Sequence, residues 1–256
     1  DFVIESFLPG RLVELGLGYE ALRQANPRLV LVSITPFGQT GPYRDLKASD
    51  LVHMALGGQM YTSGDPDRAP VRLTVPQAYL HAGAHAAVGA MLAHHGRLQT
   101  GQGQWVDVST HACIARLQYI DPPFWAYDKF LNRRSGAFSW RGPFCFQHFW
   151  ACRDGYVCFR LMGGRFGKGV RKLVDWMDAE GMAGPLKEID WDTLDVYLGI
   201  TPQQVKDMEK VFAAFFPKHT KAELLDYAVK HRVMLTPLSS PGDLLKDQQL
   251  ASREFW

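Results

Sequence analysis

The stretch from Pro70 to Val108 constrains the fold more than any other part of the chain. Val71, Leu73 and Val75 alternate with Arg72 and Thr74, which predicts an extended segment with one apolar face. Pro76 permits a helix to start, and Ala78–His95 carries Ala, Leu and Met at helical spacing. Gly101 and Gly103 then break the helix and turn the chain into Trp105-Val106-Asp107-Val108, a short strand. The expected unit is strand, helix, strand, and its apolar helix must lie against another layer. An α/β protein places its chemistry where such a helix begins, and the residue there is Tyr79.

Upstream, Leu29-Val30-Leu31-Val32-Ser33-Ile34 is a continuous apolar run, as in a parallel strand buried on both faces. Val3-Ile4 reads as an earlier strand, with short helical pieces at Arg11–Leu15 and Tyr19–Gln24 between them. A right-handed crossover closes that order into a βαβ unit. Thr35–Asp45 is a loop dense in Gly and Pro at the carboxyl end of a strand, the position at which open α/β sheets bind ligands. It contains neither G-x-G-x-x-G nor a P-loop pattern. Asp50–Met60 looks helical, and Ser63–Asp67 is an exposed turn.

Downstream, Ser109-Thr110 supplies an N-cap for a helix expected to run to about Ile120, where Asp121-Pro122-Pro123 ends it. Phe124–Trp150, crowded with aromatics, Arg and Gly, reads as a linker into a second domain. Phe149–Cys152 and Tyr156–Phe159 flank Arg153-Asp154-Gly155, a strong hairpin signal. Helices are expected at Gly169–Met177, Pro202–Phe216 and Lys221–Lys230, a strand at Met234–Leu238, and a last helix from Gly242 to about Lys246.

Composition narrows the function classes. A formal charge of +2 over 256 residues gives no electrostatic reason to expect nucleic acid or an anionic membrane surface. Runs such as Ala86–Leu92 fall short of the roughly 20 apolar residues that span a bilayer. The chain opens in what reads as a strand with no signal peptide, and is expected to be part of a longer protein. Its four cysteines form no C-x-x-C pair, which points to reduced thiols in a cytoplasmic protein.

Three segments together resemble the class III CoA-transferases (CaiB/BaiF-like), which include the formyl-CoA and carnitine CoA-transferases and share their fold with alpha-methylacyl-CoA racemases. They are D-F-V-I-E-S-F-L-P-G through N-P-R-L-V-L-V-S-I-T-P-F-G-Q-T-G-P-Y, then T-G-Q-G-Q-W-V-D-V-S, and finally L-T-P-L-S-S-P-G-D-L-L-K-D-Q-Q-L-A-S-R. The resemblance covers nearly the whole chain. It implies an α/β fold: a Rossmann-like large domain with a parallel sheet, a smaller α+β domain, and interlocked dimers. Residues 1–135 would then be part of the large domain, lacking its N-terminal portion. Residues 136–256 would be linker and small domain, lacking the segment that returns to the large one.

The resemblance also implies a reaction. A family Asp attacks an acyl-CoA thioester, forming a mixed anhydride, and CoA thiolate converts this to an enzyme thioester. That Asp stands four residues before a helix glycine; here the glycine is Gly83 and the residue is Tyr79. A phenol titrates at about 10 and is protonated at neutral pH. Tyr79 is therefore not expected to act as the nucleophile. Racemase chemistry needs a His immediately before Asp50 as well as the same Asp, and Ser49 and Tyr79 stand there instead. For CoA itself, the resemblance assigns the turn Ser6-Phe7-Leu8, which lacks the family's usual Arg, and Lys47-Ala48-Ser49, of which Lys47 matches a family lysine.

Several assignments stay open. Tyr79 is either a proton donor, with His81 as base, or an amphipathic residue filling a disused pocket. His81 and His85 share a helix face, yet without a third ligand and an acidic neighbour they make a thin zinc site, and no metal is expected. Asp50 reads as a helix cap. The leading expectation is a CoA-transferase subunit moving CoA between an acyl-CoA and a carboxylic acid, as a homodimer or with a catalytically complete paralogue that supplies the Asp. The alternatives are an acyl-CoA isomerase or lyase using Tyr79 and His81, and a non-catalytic CoA-ester-binding protein.

Overall fold

In the computed structural model, which describes residues 1–256, the chain divides into two units, Asp1–Gly136 and Ala137–Trp256. The first begins with β1 (Phe2–Glu5), α1 (Arg11–Glu14), α2 (Tyr19–Ala25) and β2 (Val30–Thr35). It continues through α3 (Asp50–Leu56), α4 (Gln59–Thr62), α5 (Gln77–Thr100), β3 (Trp105–Ser109), α6 (Thr110–Ala115) and α7 (Asp121–Asp128). The strands form a parallel sheet in the order β1-β2-β3, with Leu31 opposite Val3 and Trp105. The central strand is the apolar run, and Val30, Leu31 and Val32 are wholly buried.

Helix α5 lies on this sheet through a stripe of small residues. Ala82, Ala86, Ala90 and Ala93 are buried against Val30, Val32 and Val108. The approach is close: a Cβ on Gly89 would sit 2.6 Å from a methyl of Val106. Beyond the helix the chain must pass the start of β2, and Gly103 lets it: a Cβ there would lie 1.8 Å from the Leu29 carbonyl oxygen. Gly103 N–H donates to the Pro27 carbonyl at 2.8 Å, while Gly101 ends the helix in the left-handed region at φ +72°. The glycines of T-G-Q-G-Q thus have separate steric reasons. Buried Arg97 completes the junction by donating to the backbone carbonyls of Arg28 (2.9 Å) and Asp1 (3.1 Å).

Three expectations fail in this unit. Val71–Val75 forms no strand and is exposed; the parallel partners of β2 are β1 and β3, so the segment lacks a ladder to join. Alternation suits a pleated surface but does not make one. The helix after Ser109 ends at Ala115 and passes into a 3-10 turn, Arg116–Gln118. Asp121-Pro122-Pro123 begins a helix instead of ending one, because proline fits the first turn, whose N–H groups need no helical partner.

The second unit holds β4 (Phe138–Arg141), β5 (Phe144–Gln147), β6 (Phe149–Cys152) and β7 (Gly155–Phe159), then α8 (Gly167–Ala179), α9 (Pro202–Phe215) and α10 (Lys221–His231). It closes with β8 (Leu235–Pro237), α11 (Pro241–Leu244) and α12 (Gln248–Ser252). The stretch read as a linker therefore contains the later part of α7 and the β4-β5 hairpin. β6, β7 and β8 make an antiparallel sheet, with the turn at Arg153-Asp154-Gly155 where the sequence places it. Trp150, Phe159, Phe212, Phe215, Phe216 and Trp191 fill the core. Capping boxes start α9 (Thr201, Gln204), α10 (Thr220, Glu223) and α11 (Ser240, Asp243).

Candidate functional site

Because β1, β2 and β3 run parallel, their carboxyl ends share one side of the sheet. The turn Ser6–Gly10, the loop 36–45 and the start of α6 all leave from that side. The loop is pinned at its base. Gly38 N–H donates to Thr35 Oγ1 and Gln39 N–H to Asp107 Oδ2, each at 3.0 Å. Gly38 has φ +92°, a left-handed conformation that favours glycine, and a Cβ there would lie 3.4 Å from the Asp107 carboxylate. His111 N–H donates to the Pro36 carbonyl at 2.9 Å. The Phe37 ring then sits among Tyr43, His53 and His111, with ring centroids 5.5–5.6 Å away.

Beside this loop the beginnings of α3 and α5 are tied together reciprocally. Asp50 N–H donates to Tyr79 Oη at 3.1 Å, and Ala78 N–H donates to Asp50 Oδ1 at 2.8 Å. Asp50 thus caps α5, whose own N-cap, Pro76, has no side-chain acceptor; Ser49 holds the N-cap position of α3. The expected cap is real, but it serves a different helix. Asp50 Oδ2 is buried and has no hydrogen-bond partner. Tyr79 is half exposed (53%), with its hydroxyl engaged at the α3 backbone.

One turn along α3 lies His53, 1% exposed. Burial holds its imidazole below the ordinary histidine range; His111 pushes the same way and Asp50 opposes. The Nδ1 atoms of His53 and His111 are also buried without partners. Asp50, His53 and His111 therefore gather unpaired polar atoms under the loop. Sequence reasoning missed the two histidines and Phe37. Their one signal was position, next to the carboxyl ends of β2 and β3 and one turn after Asp50.

The other residues singled out fall as follows. Ser6, Phe7 and Leu8 form an exposed turn, held by Phe7 N–H on Glu5 Oε2 at 2.7 Å. Lys47, Ala48 and Ser49 lead into α3, with Lys47 exposed. His81 is not brought against Tyr79: two residues on a helix are about 200° apart around the axis, and no hydrogen bond joins them. No group of three or more His, Cys, Asp or Glu is placed to hold a metal ion. All four cysteines are free thiols, and burial raises those of Cys113 and Cys152. No helix is long and apolar enough to cross a membrane.

Comparison with known proteins agrees with this architecture. The profile of CoA-transferase family III matches residues 1–256. The succinyl-CoA:(R)-benzylsuccinate CoA-transferase subunit BbsE of Thauera aromatica is 36% identical over 258 residues, covering 100% of this chain and 61% of that protein. The succinyl-CoA–L-malate CoA-transferase beta subunit of Chloroflexus aurantiacus is 27% identical, covering 99% of this chain and 60% of its own length. The chain thus spans about three-fifths of these relatives. The crystal structure of a CaiB/BaiF family protein from Brucella suis superposes with a TM-score of 0.75 at 26% identity, covering 99% of this chain and 64% of that one. On the profile match and the shared fold, the chain belongs to CoA-transferase family III.

Proposed function

We propose that this chain is part of a CoA-transferase subunit that moves CoA from an acyl-CoA to a carboxylic acid, and that a partner subunit supplies the nucleophilic carboxylate. The observation that carries the reading is the state of Tyr79. At the position where the resemblance puts the attacking Asp, this chain has a phenol whose oxygen accepts the Asp50 amide at 3.1 Å. That contact is a structural use of the side chain.

A transferase of this class needs a group that is ionised at neutral pH and leaves well once acylated. A carboxylate on the partner meets both needs. It attacks the thioester carbonyl and releases CoA thiolate; the thiolate then attacks the mixed anhydride and expels the acyl carboxylate. The acceptor acid repeats the two steps in reverse order, so atoms and charge balance. Asp50 is the one carboxylate of this chain at the α3–α5 junction; it is only 6% exposed and holds the start of α5. It keeps a positioning role. Ser6, Phe7, Leu8, Lys47, Ala48 and Ser49 are the proposed CoA contacts, since they lie on the turn after β1 and ahead of α3. Two relatives are named as subunits and as users of succinyl-CoA, which favours a heteromer and that donor. The roughly 200° between Tyr79 and His81 around the helix does not favour the isomerase or lyase alternative.

The test is a transfer assay on the full-length protein with succinyl-CoA and a panel of carboxylic acids, first alone and then with an Asp-bearing paralogue. Transfer is expected only in the mixture. Ordinary turnover by the isolated chain would overturn the reading.

A further inference from the structure

The second unit carries a groove of about 500 Å3 that the transferase reading does not use. Arg165, Lys168, Arg171, Lys172, His231 and Arg232 line it, with Asp192 as the one acid among the lining residues. Some of this charge is compensated. An Arg171 guanidinium nitrogen lies 3.1 Å from carboxylate oxygens of both Asp190 and Asp192, and Lys172 pairs with Asp175 at 3.0 Å. Arg165, Lys168 and Arg232 have no carboxylate partner; Arg165 lies over the Phe166 ring, 4.6 Å from its centroid. Arg171 Nε is shielded from solvent and has no acceptor. Uncompensated cations facing one groove repel each other, and an anion between them removes that cost.

The backbone that carries Lys168 and Arg232 is closely packed. A Cβ on Gly169 would sit 2.7 Å from the Arg232 carbonyl oxygen, and one on Gly167 would sit 1.7 Å from that of Trp191. The first turn of α8 is therefore pressed onto both segments, with Lys168 between the two glycines. Arg232 has φ +57°, a left-handed conformation that glycine adopts at little cost and arginine does not.

We propose that this groove binds a phosphate-bearing small anion of nucleotide size, with Arg165, Lys168 and Arg232 as its cationic contacts. Guanidinium groups match phosphate oxygens in pairs, and lysine adds a point charge. The volume falls within the range of small-ligand pockets, roughly 300–1,000 Å3. A free nucleotide and the nucleotide end of a CoA thioester share this chemistry. The assignment holds whether or not the subunit takes part in transfer.

The experiment is titration calorimetry on the full-length protein in dilute buffer, with ADP, inorganic pyrophosphate and CoA as probes. ADP and pyrophosphate are expected to bind saturably, and more weakly as salt is added. The Lys168→Gln/Arg232→Gly double variant is expected to bind both at least about tenfold more weakly, the loss of charge-assisted contacts. Arg232→Gly alone relieves the left-handed backbone, so its melting temperature should not fall while its ADP affinity does. That separates binding from folding. If CoA affinity drops with that of ADP, the nucleotide end of CoA is the occupant; if only ADP affinity drops, it is a free nucleotide. Absence of saturable ADP and pyrophosphate binding, or variants that bind as the parent does, would overturn the proposal.

Discussion

Tyr79 and Asp50 hold the starts of two helices by exchanging backbone amides, and the exchange is unequal. Asp50 Oδ1 satisfies Ala78 N–H, which belongs to a residue with no exposure, whereas Tyr79 Oη satisfies an amide in a more open place. Asp50→Ala should therefore cost about 2 kcal/mol, the loss of a buried cap, and Tyr79→Phe about 1 kcal/mol or less. Denaturant unfolding measures both. Tyr79→Phe should also leave transfer by the assembled enzyme essentially unchanged; a large fall in rate would mean that the phenol does chemistry. His53 adds a pH dependence. Burial lowers its folded titration below the ordinary value of about 6.5, so the unfolded chain binds the proton more readily. The stability that neutral His53 permits is present above about pH 6.5 and is lost as pH falls towards the depressed folded value. Melting temperature should drop on acidification through that window, and His53→Gln should flatten the drop.

The sharpest test among the elements is Gly103. A methyl there meets the Leu29 carbonyl, a backbone atom that cannot swing aside. Gly103→Ala should destabilise by about 3 kcal/mol or more, read as a shift in unfolding midpoint. In the second unit, Thr220→Ala removes the oxygen that accepts from Glu223 N–H and should cost about 1 kcal/mol. Elements with a local cause were legible in the sequence: the buried run of β2, the Asp-Gly hairpin and the apolar helix α5. The failures had remote causes. Val71–Val75 alternates as a strand should, but no ladder reaches it. Asp121-Pro122-Pro123 permits either the end or the beginning of a helix, and only the surrounding chain selects the second. Tyr79 and the cap at Asp50 were legible as positions, and the hydrogen bonds that tie α3 to α5 run through both. The histidines were not, because loop 36–45 brings His53 and His111 together across 58 residues, a separation no local pattern encodes.

As a whole molecule, the chain combines a parallel α/β unit of CoA-transferase family III with an antiparallel α+β unit. At the position where the family resemblance puts the nucleophile it carries Tyr79. On the α5 surface away from the sheet Leu80, Val88, Met91 and Leu92 are exposed, forming an apolar face. The central claim is that the covalent carrier belongs to another subunit. The direct measurement is intact mass under denaturing conditions, taken after the full-length chain and an Asp-bearing partner meet an acyl-CoA. The expected result is an acyl or CoA adduct on the partner and an unchanged mass for this chain. An adduct on this chain in the absence of a partner would contradict the claim and identify a nucleophile of its own.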